Sequence, residues 1–383
     1  MKEHVCAVRL SRRQVLSLSA VGTVTALLAA CGAPQGTSAP QTVNVGASKV
    51  DGRILFAKVR MTDNGGKDDG IYSLDTGTVR KILSKADGDD ALEYPRWSPD
   101  GKQIAFARAG DQGIFSDLWL MNADTSNPRR ITDFQSKIAH KNNVDAEGKY
   151  VEDSSIVAGL SWSQGGNFIT FASNKANPSG AMRPWTLEHP DQPPVQPVNL
   201  HPIGATENFS PPGIFPPRHI DTTALAPDGS VMAFSAIWVQ PDDATNKRTQ
   251  IYLLDFGTKK YSAPLTTMQW GAYDPAFSPD GQQIAFAGRP DKRIDDIFIM
   301  TRDGKNQTQI TNTGAASAPV WSPDGKKLAF LAAFEGAQFN IYVMDVSLPA
   351  PGTPLTAANF STPEKLTDEK GIDARSGLSW TVS

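Results

Sequence analysis

The chain has 383 residues, 39% of them hydrophobic and 20% charged, with a formal net charge of −3. It is long enough to bury a sizeable core, and it lacks the basic excess that marks a nucleic-acid surface. Its two cysteines, Cys6 and Cys31, both stand near the N-terminus, so no disulfide is open to the chain beyond them.

Residues 1–30 read as an export signal. A basic start ending in SRRQVL (11–16) precedes a run from Val15 to Ala30 with few polar groups beyond Ser and Thr. The run is short for a bilayer span, which takes about 20 apolar residues. Arg12 and Arg13 resemble a twin-arginine signal, whose cargo crosses already folded. Val15 stands where that pattern prefers Phe, and an ordinary basic start for general export is the other reading. LLAACG (27–32) resembles the lipobox of bacterial lipoproteins, which makes Cys31 the lipid-bearing first residue of the mature chain. Residues 31–49, small and polar, read as a flexible tether. Without residues 1–30 the chain keeps 33 basic against 39 acidic residues, a charge of −6, so membrane attachment would rest on the lipid and not on a basic patch.

From residue 50 the chain repeats itself. WSPDGKQIAFAR (97–108), FSPDGQQIAFAG (277–288) and WSPDGKKLAFLA (321–332) each hold a tight turn and the strand after it. Pro presets the first central turn position, Asp suits the second, and Gly accepts the left-handed conformation that returns the chain. Six first strands end at 94–98, 158–163, 221–226, 273–278, 317–322 and 376–381. Six second strands follow or match them at 53–59, 103–109, 168–174, 231–237, 283–289 and 327–333, with large apolar residues alternating with small ones. Such strands must be covered on both faces. Third strands of the IYVMD kind (340–346 and its counterparts) and fourth strands near an Ile-Thr or Leu-Thr pair complete each unit.

Four strands in each of six units predict an all-β, six-bladed β-propeller of antiparallel blades over 50–383. Nothing before Arg53 supplies a first strand, and the chain ends in a lone one, SGLSWT (376–381). The C-terminal strand is therefore expected to complete blade 1 and remove two open edges. WSPDGKKLAFLA, NIYVMD and EKLT together resemble the TolB-like propeller repeat. The resemblance spans residue 50 to the end and implies the fold; it carries no function. WSQGGN in blade 3 and LAPDG in blade 4 depart from it.

In such a blade, the loops from second to third strand and from fourth strand to the next blade share one face, opposite the Ser-Pro-Asp-Gly turns. Three long ones, 133–157, 201–220 and 238–249, fall there and form the candidate binding region. The Pro-rich stretch 347–363 falls on the turn face and reads as a surface excursion. His140, Asp145, Glu152, Asp153, Glu207 and His219 lie in or beside the region, with His189 and His201. They could be polar loop residues or, with His140, His201 and His219 as ligands, hold a divalent metal. FSPPGIFPPRHI (209–220) places Phe209 and Phe215 beside Arg218 and His219, either as a contact rim or as plugs over the propeller end. Trp97, Trp162, Trp321 and Trp380 share one repeat position and read as packing residues, whereas Trp238 and Trp270 fall outside it and read as contact residues.

No Gly-x-Ser-x-Gly, Gly-rich phosphate loop or Cys-based metal motif is present. The expectation is an exported, lipid-anchored, monomeric propeller that binds an envelope or extracellular protein or glycan and takes no cofactor. The alternative is a propeller lyase or hydrolase with a divalent metal at the long-loop face.

Overall fold

Strands that are apolar on both faces can be buried only between stacked sheets, and that is how this chain folds. A computed structural model describes residues 50–382 apart from 60–68, 87–88, 111–114, 133–155, 175–181, 189, 191–199, 203–219, 241–242, 259, 292–293, 335–337 and 350–354. Among these residues the strands are β1 (Arg53–Lys58), β2 (Gly70–Asp75), β3 (Thr78–Ser84), β4 (Asp89–Trp97), β5 (Gln103–Gly110), β6 (Phe115–Asn122), β7 (Arg129–Arg130) and β8 (Val157–Trp162). Next come β9 (Phe168–Ser173), β10 (Arg183–Glu188), β11 (Leu200–Pro202), β12 (Ile220–Leu225), β13 (Val231–Gln240), β14 (Asp243–Asp255), β15 (Lys260–Tyr261) and β16 (Ala272–Phe277). The last are β17 (Gln283–Asp291), β18 (Ile294–Thr301), β19 (Thr308–Gln309), β20 (Ala316–Trp321), β21 (Lys327–Ala332), β22 (Asn340–Asp345), β23 (Glu364–Lys365) and β24 (Ser379–Thr381).

They form six four-stranded antiparallel sheets. Five are consecutive in sequence, from β4–β7 through β20–β23, and the sixth has the order β24-β1-β2-β3. The last strand therefore completes blade 1, with Arg53 opposite Thr381, Ile54 opposite Trp380 and Leu55 opposite Ser379.

Six hydrophobic clusters lie between neighbouring blades and close the ring. Ile104 and Phe106 of β5 pack with Leu55 and Ile71 of blade 1. Ala105 and Ala107, the alternate residues of the same strand, pack with Val157 and Phe171 of blade 3. At the closing joint, Ile54 and Phe56 meet Ala329 and Leu331 of blade 6. Large side chains thus face the preceding blade and mostly small ones the next, so twisted sheets interlock without a gap. Every blade also carries an aromatic pair directly across its middle strands. Phe56–Tyr72, Phe106–Trp119, Phe171–Trp185, Phe234–Tyr252, Phe286–Phe298 and Phe330–Tyr342 stack at centroid separations of 5.5 to 6.5 Å.

The repeated turn closes on itself. Ser98 Oγ donates to Asp100 Oδ1 at 2.6 Å and accepts from the Gln103 amide at 2.9 Å, while the Gly101 amide donates to the Ser98 carbonyl at 2.9 Å. Gly101, Gly281 and Gly325 have φ of 67°, 69° and 71°, the left-handed conformation expected of them. The two departures keep this backbone: Gly166 and Gly229 also have φ of 69°. In blade 4, Ala226 leaves no hydroxyl for Asp228, whose carboxylate instead accepts from Ser230 and from Arg302 Nη1 of blade 5 at 2.7 Å.

At the opposite ends of the blades a second device recurs. Thr132, Thr266, Thr311 and Thr367, the Thr of the Ile-Thr or Leu-Thr pair, are all buried. Each hydroxyl accepts from the amide of a third strand (Leu118, Ile251, Ile297, Ile341). Each donates to the preceding side chain of that strand, Asp117, Gln250, Asp296 or Asn340. The Thr pins the fourth strand where its short ladder ends.

Two expectations change in detail. Within the stretch expected as a loop, 238–240 and 243–249 instead extend β13 and β14, with Trp238 opposite Arg248 and Val239 opposite Lys247. The outer strand of blade 4, expected near Leu265-Thr266, lies ahead of that pair at Lys260–Tyr261, because Pro264 has no amide for a ladder. The excursion 347–363 is anchored at its base, with Val346 bridged to Phe360 and Asn359 Nδ2 donating to the Ser347 carbonyl at 2.7 Å.

Candidate functional site

The two faces differ in what they offer. On the turn face each Ser-Pro-Asp-Gly bends its polar groups inward, and the turns lean on one another: Pro227 lies against Gly281 and Pro279 against Gly325. The Ser98 hydroxyl holds the Asp100 carboxyl below the usual carboxylate range, and the Ser322 hydroxyl does the same for Asp324. This face repeats, with the Ser hydroxyl and Asp carboxylate of each Ser-Pro-Asp-Gly bonded within its own turn.

On the long-loop face, apart from the recurring Thr, the described side chains differ from blade to blade. In blade 4, the extended β13–β14 hairpin carries Arg248, whose guanidinium lies 4.6 Å from the ring centre of half-buried Trp270. Next to it, the Arg289 guanidinium sits 5.6 Å from the Tyr273 ring and binds Asp295 through both carboxylate oxygens, Nη2 to Oδ2 at 2.6 Å. The Asp295 hydrogen bonds hold Arg289 protonated to higher pH than usual. Trp270 is fixed by its backbone, since its amide donates to the Arg289 carbonyl at 3.0 Å. In blade 1, Lys58 forms an ion pair with Glu369 and lies 4.5 Å from the Tyr72 ring centre. Near the ring axis, exposed Arg375 binds Asp373 and Glu93, each at 3.2 Å, and Asp373 leads the charges that raise its pKa.

The six innermost strands form the wall of an axial channel. The inner strands of blades 2 to 6 shift register, and in every blade but the fourth the residue three before the packing aromatic adopts a left-handed conformation. Its φ is 53° at Tyr94, 60° at Gly159, 51° at Asp274, 52° at Ala318 and 66° at Gly377. These bulges turn the inner strands towards the axis. Beside them, Trp162 Nε1 donates to the Arg96 carbonyl at 3.3 Å and Trp321 Nε1 to the Ala276 carbonyl at 3.1 Å, so each of these indoles grips the preceding blade. That agrees with a packing role for this Trp position.

Of the residues expected to form the site, Trp238 and His201 have described backbones, in β13 and opposite Thr186 in β11. His140, Asp145, Glu152, Asp153, His189, Glu207, Phe209, Phe215, Arg218 and His219 lie outside the described residues, as do Arg12, Arg13 and Cys31. Among the described residues no three His, Cys, Asp or Glu side chains gather as a metal site, and no helix is long and apolar enough to cross a membrane. Trp270, expected as a contact residue, is where the geometry gathers Arg248 and the hairpin. Sequence reasoning missed Arg96 and Asp274 of the channel. The position before the packing aromatic reads Arg96, Ser161, Ala224, Ala276, Val320 and Ser379. One charged residue in that column was the available signal.

The family model of the TolB beta propeller domain matches residues 220–372, and that of the dipeptidyl peptidase IV N-terminal region matches residues 54–185. No curated protein matches the chain in sequence. Among solved structures it is similar to TolB from Acinetobacter baumannii, with a TM-score of 0.59 and 18% identity over 86% of this chain and 66% of that one. It is also similar to a putative TolB from Agrobacterium tumefaciens, with a TM-score of 0.52 and 16% identity over 87% of this chain and 99% of that one. A chain of a nidogen/laminin complex gives a TM-score of 0.52 at 11% identity, over 86% of this chain and 98% of that one.

Proposed function

Because the chain is a TolB-like six-bladed propeller protein, we propose that it is an exported binding module, anchored through a lipid on Cys31, that takes an envelope or extracellular protein on its long-loop face. The observation that carries this reading is the asymmetry of the faces. The turn face repeats one hydrogen-bonded turn, while the other face presents an extended hairpin and the Arg248–Trp270 and Arg289–Tyr273 stacks. Aromatic and Arg side chains in such half-buried arrangements are the usual anchors of protein contacts. The same fold in a chain of the nidogen/laminin complex supports protein binding as one of its uses. The tether at 31–49 would hold this face clear of the bilayer.

A photo-crosslinker placed at Lys247 in cells tests it. One envelope protein should be captured reproducibly, and Trp270→Ala should cut the yield at least about tenfold, the loss of a hot-spot residue. In the same cells, Cys31→Ala should move the chain from membrane to soluble fractions. A crosslinked species that is glycan and not protein, or a yield unmoved by Trp270→Ala, would overturn the partner or the surface respectively.

A further inference from the structure

The axial channel encloses about 250 Å³ and is lined by all six inner strands. Its wall mixes polar groups with apolar side chains, among them Trp97, Leu160, Trp162, Leu225, Phe277 and Trp380. The hydroxyls that line it are engaged: Ser161 Oγ accepts from the Leu225 amide at 3.0 Å, Ser379 Oγ from the Trp97 amide at 2.9 Å, and Thr223 donates to the Gly159 carbonyl. Three charged side chains remain on the lining, Arg96 of blade 2, Asp274 of blade 5 and Arg375 beside β24.

Arg96 and Asp274 stand on opposite blades of the ring and are held differently. Arg96 Nε donates to the Leu160 carbonyl at 3.0 Å, and Nη1 donates to the Pro95 and Ser376 carbonyls at 2.9 and 2.8 Å. Those neutral acceptors take three of the five guanidinium hydrogens. The two on Nη2 have no acceptor among the described residues. Nη2 lies against Gly377, where a Cβ would come within 3.1 Å, so a glycine leaves room for it. Burial is the main influence on this guanidinium and pulls its pKa down to about 10, with Tyr94 and Asp274 opposing. Asp274 Oδ2 accepts from the Ala318 amide at 3.3 Å. Arg375, by contrast, has two carboxylates of its own.

A guanidinium held by neutral carbonyls, with one edge facing the channel and no acceptor for that edge among the described residues, is a ready place for an anion. A carboxylate satisfies that edge with charge-assisted hydrogen bonds. We propose that the channel is a binding site for a small monocarboxylate with an apolar body, its carboxylate on Arg96 Nη2 and its uncharged end towards Asp274. The second position follows from repulsion: Asp274 disfavours a second negative charge across the channel. This site is separate from the long-loop surface and stands whether or not that surface binds a protein.

Calorimetric titration of the full chain with phenylacetate and with phenylacetamide tests it. Phenylacetate should bind with one-to-one stoichiometry and raise Tm with its concentration, and the neutral amide should do neither. Arg96→Gln should abolish binding. Since Arg96 also ties three blades and its loss can prevent folding, Asp274→Asn supplies the second arm: removing the facing charge should tighten phenylacetate by about fivefold. Equal binding of acid and amide, no binding of either up to about 10 mM, or an affinity unchanged in Asp274→Asn would each overturn the proposal.

Discussion

Asp228 shows how one substitution in a repeat redirects a neighbour. Where blades 2, 3, 5 and 6 have Ser, blade 4 has Ala226, and the Asp228 carboxylate turns to Arg302 and Ser230. The Arg302 hydrogen bond is the main reason its pKa falls from 3.8 to about 2. A carboxyl depressed in the folded chain stabilises it fully above the unfolded value, and that contribution fades as pH falls through the folded one. In Arg302→Met, NMR titration should find the Asp228 pKa raised from about 2 towards the ordinary carboxylate range, though still held below it by Ser230. The stability gap between the two chains, small because the pair is partly exposed, should be constant above about pH 4 and close towards about pH 2. The Ser-Pro-Asp-Gly turns were legible residue by residue, since their geometry follows from Pro, Asp and Gly. The link from Arg302 to Asp228, 74 positions apart, was not, because nothing local to either residue encodes it.

At the scale of strands, the doubly apolar second strands and the turns between first and second strands could be read from period and composition. The outer strands were read instead from the Ile-Thr or Leu-Thr pair at their ends. β7, β15, β19 and β23 have two residues each, too few for a period, and the structure holds them through the buried Thr beyond each ladder. In blade 5, Asp296 is fully buried and accepts from Thr311 Oγ1 at 2.8 Å and from the Thr313 amide at 2.7 Å. Thr311→Val keeps the shape but leaves the Ile297 amide and part of the Asp296 carboxylate unsatisfied. It should cost about 1–3 kcal/mol in urea unfolding, whereas the same change at exposed Thr258, outside any such latch, should cost under about 0.5 kcal/mol. Equal losses at both sites would show that the latch adds nothing beyond the residue's volume. The hairpin of blade 4 was misread as a loop because the sequence around its tip lacks the apolar alternation of a buried strand.

For the whole molecule, ring closure decides stability. β24 pairs with β1, and Arg96 and Trp97 of blade 2 bond to Ser376 and Ser379. Deleting residues 376–383 should expose the closing cluster around Ile54, Phe56 and Trp380 and lower Tm by more than about 10 °C, beyond the shift of a typical point change. An unchanged thermal transition would mean that blade 1 holds without its inner strand. The sequence by itself determined the propeller, its six blades and the strand that closes it. Each of these depends on a pattern that recurs, and a strand apolar on both faces has few ways to be buried. Only the tertiary structure decided what lies at the axis and over blade 4: the bulged inner strands, Arg96 across from Asp274, and Arg248 on Trp270. Those groups come from single departures in separate repeats, and they meet only because closing the ring brings six distant strands around one axis.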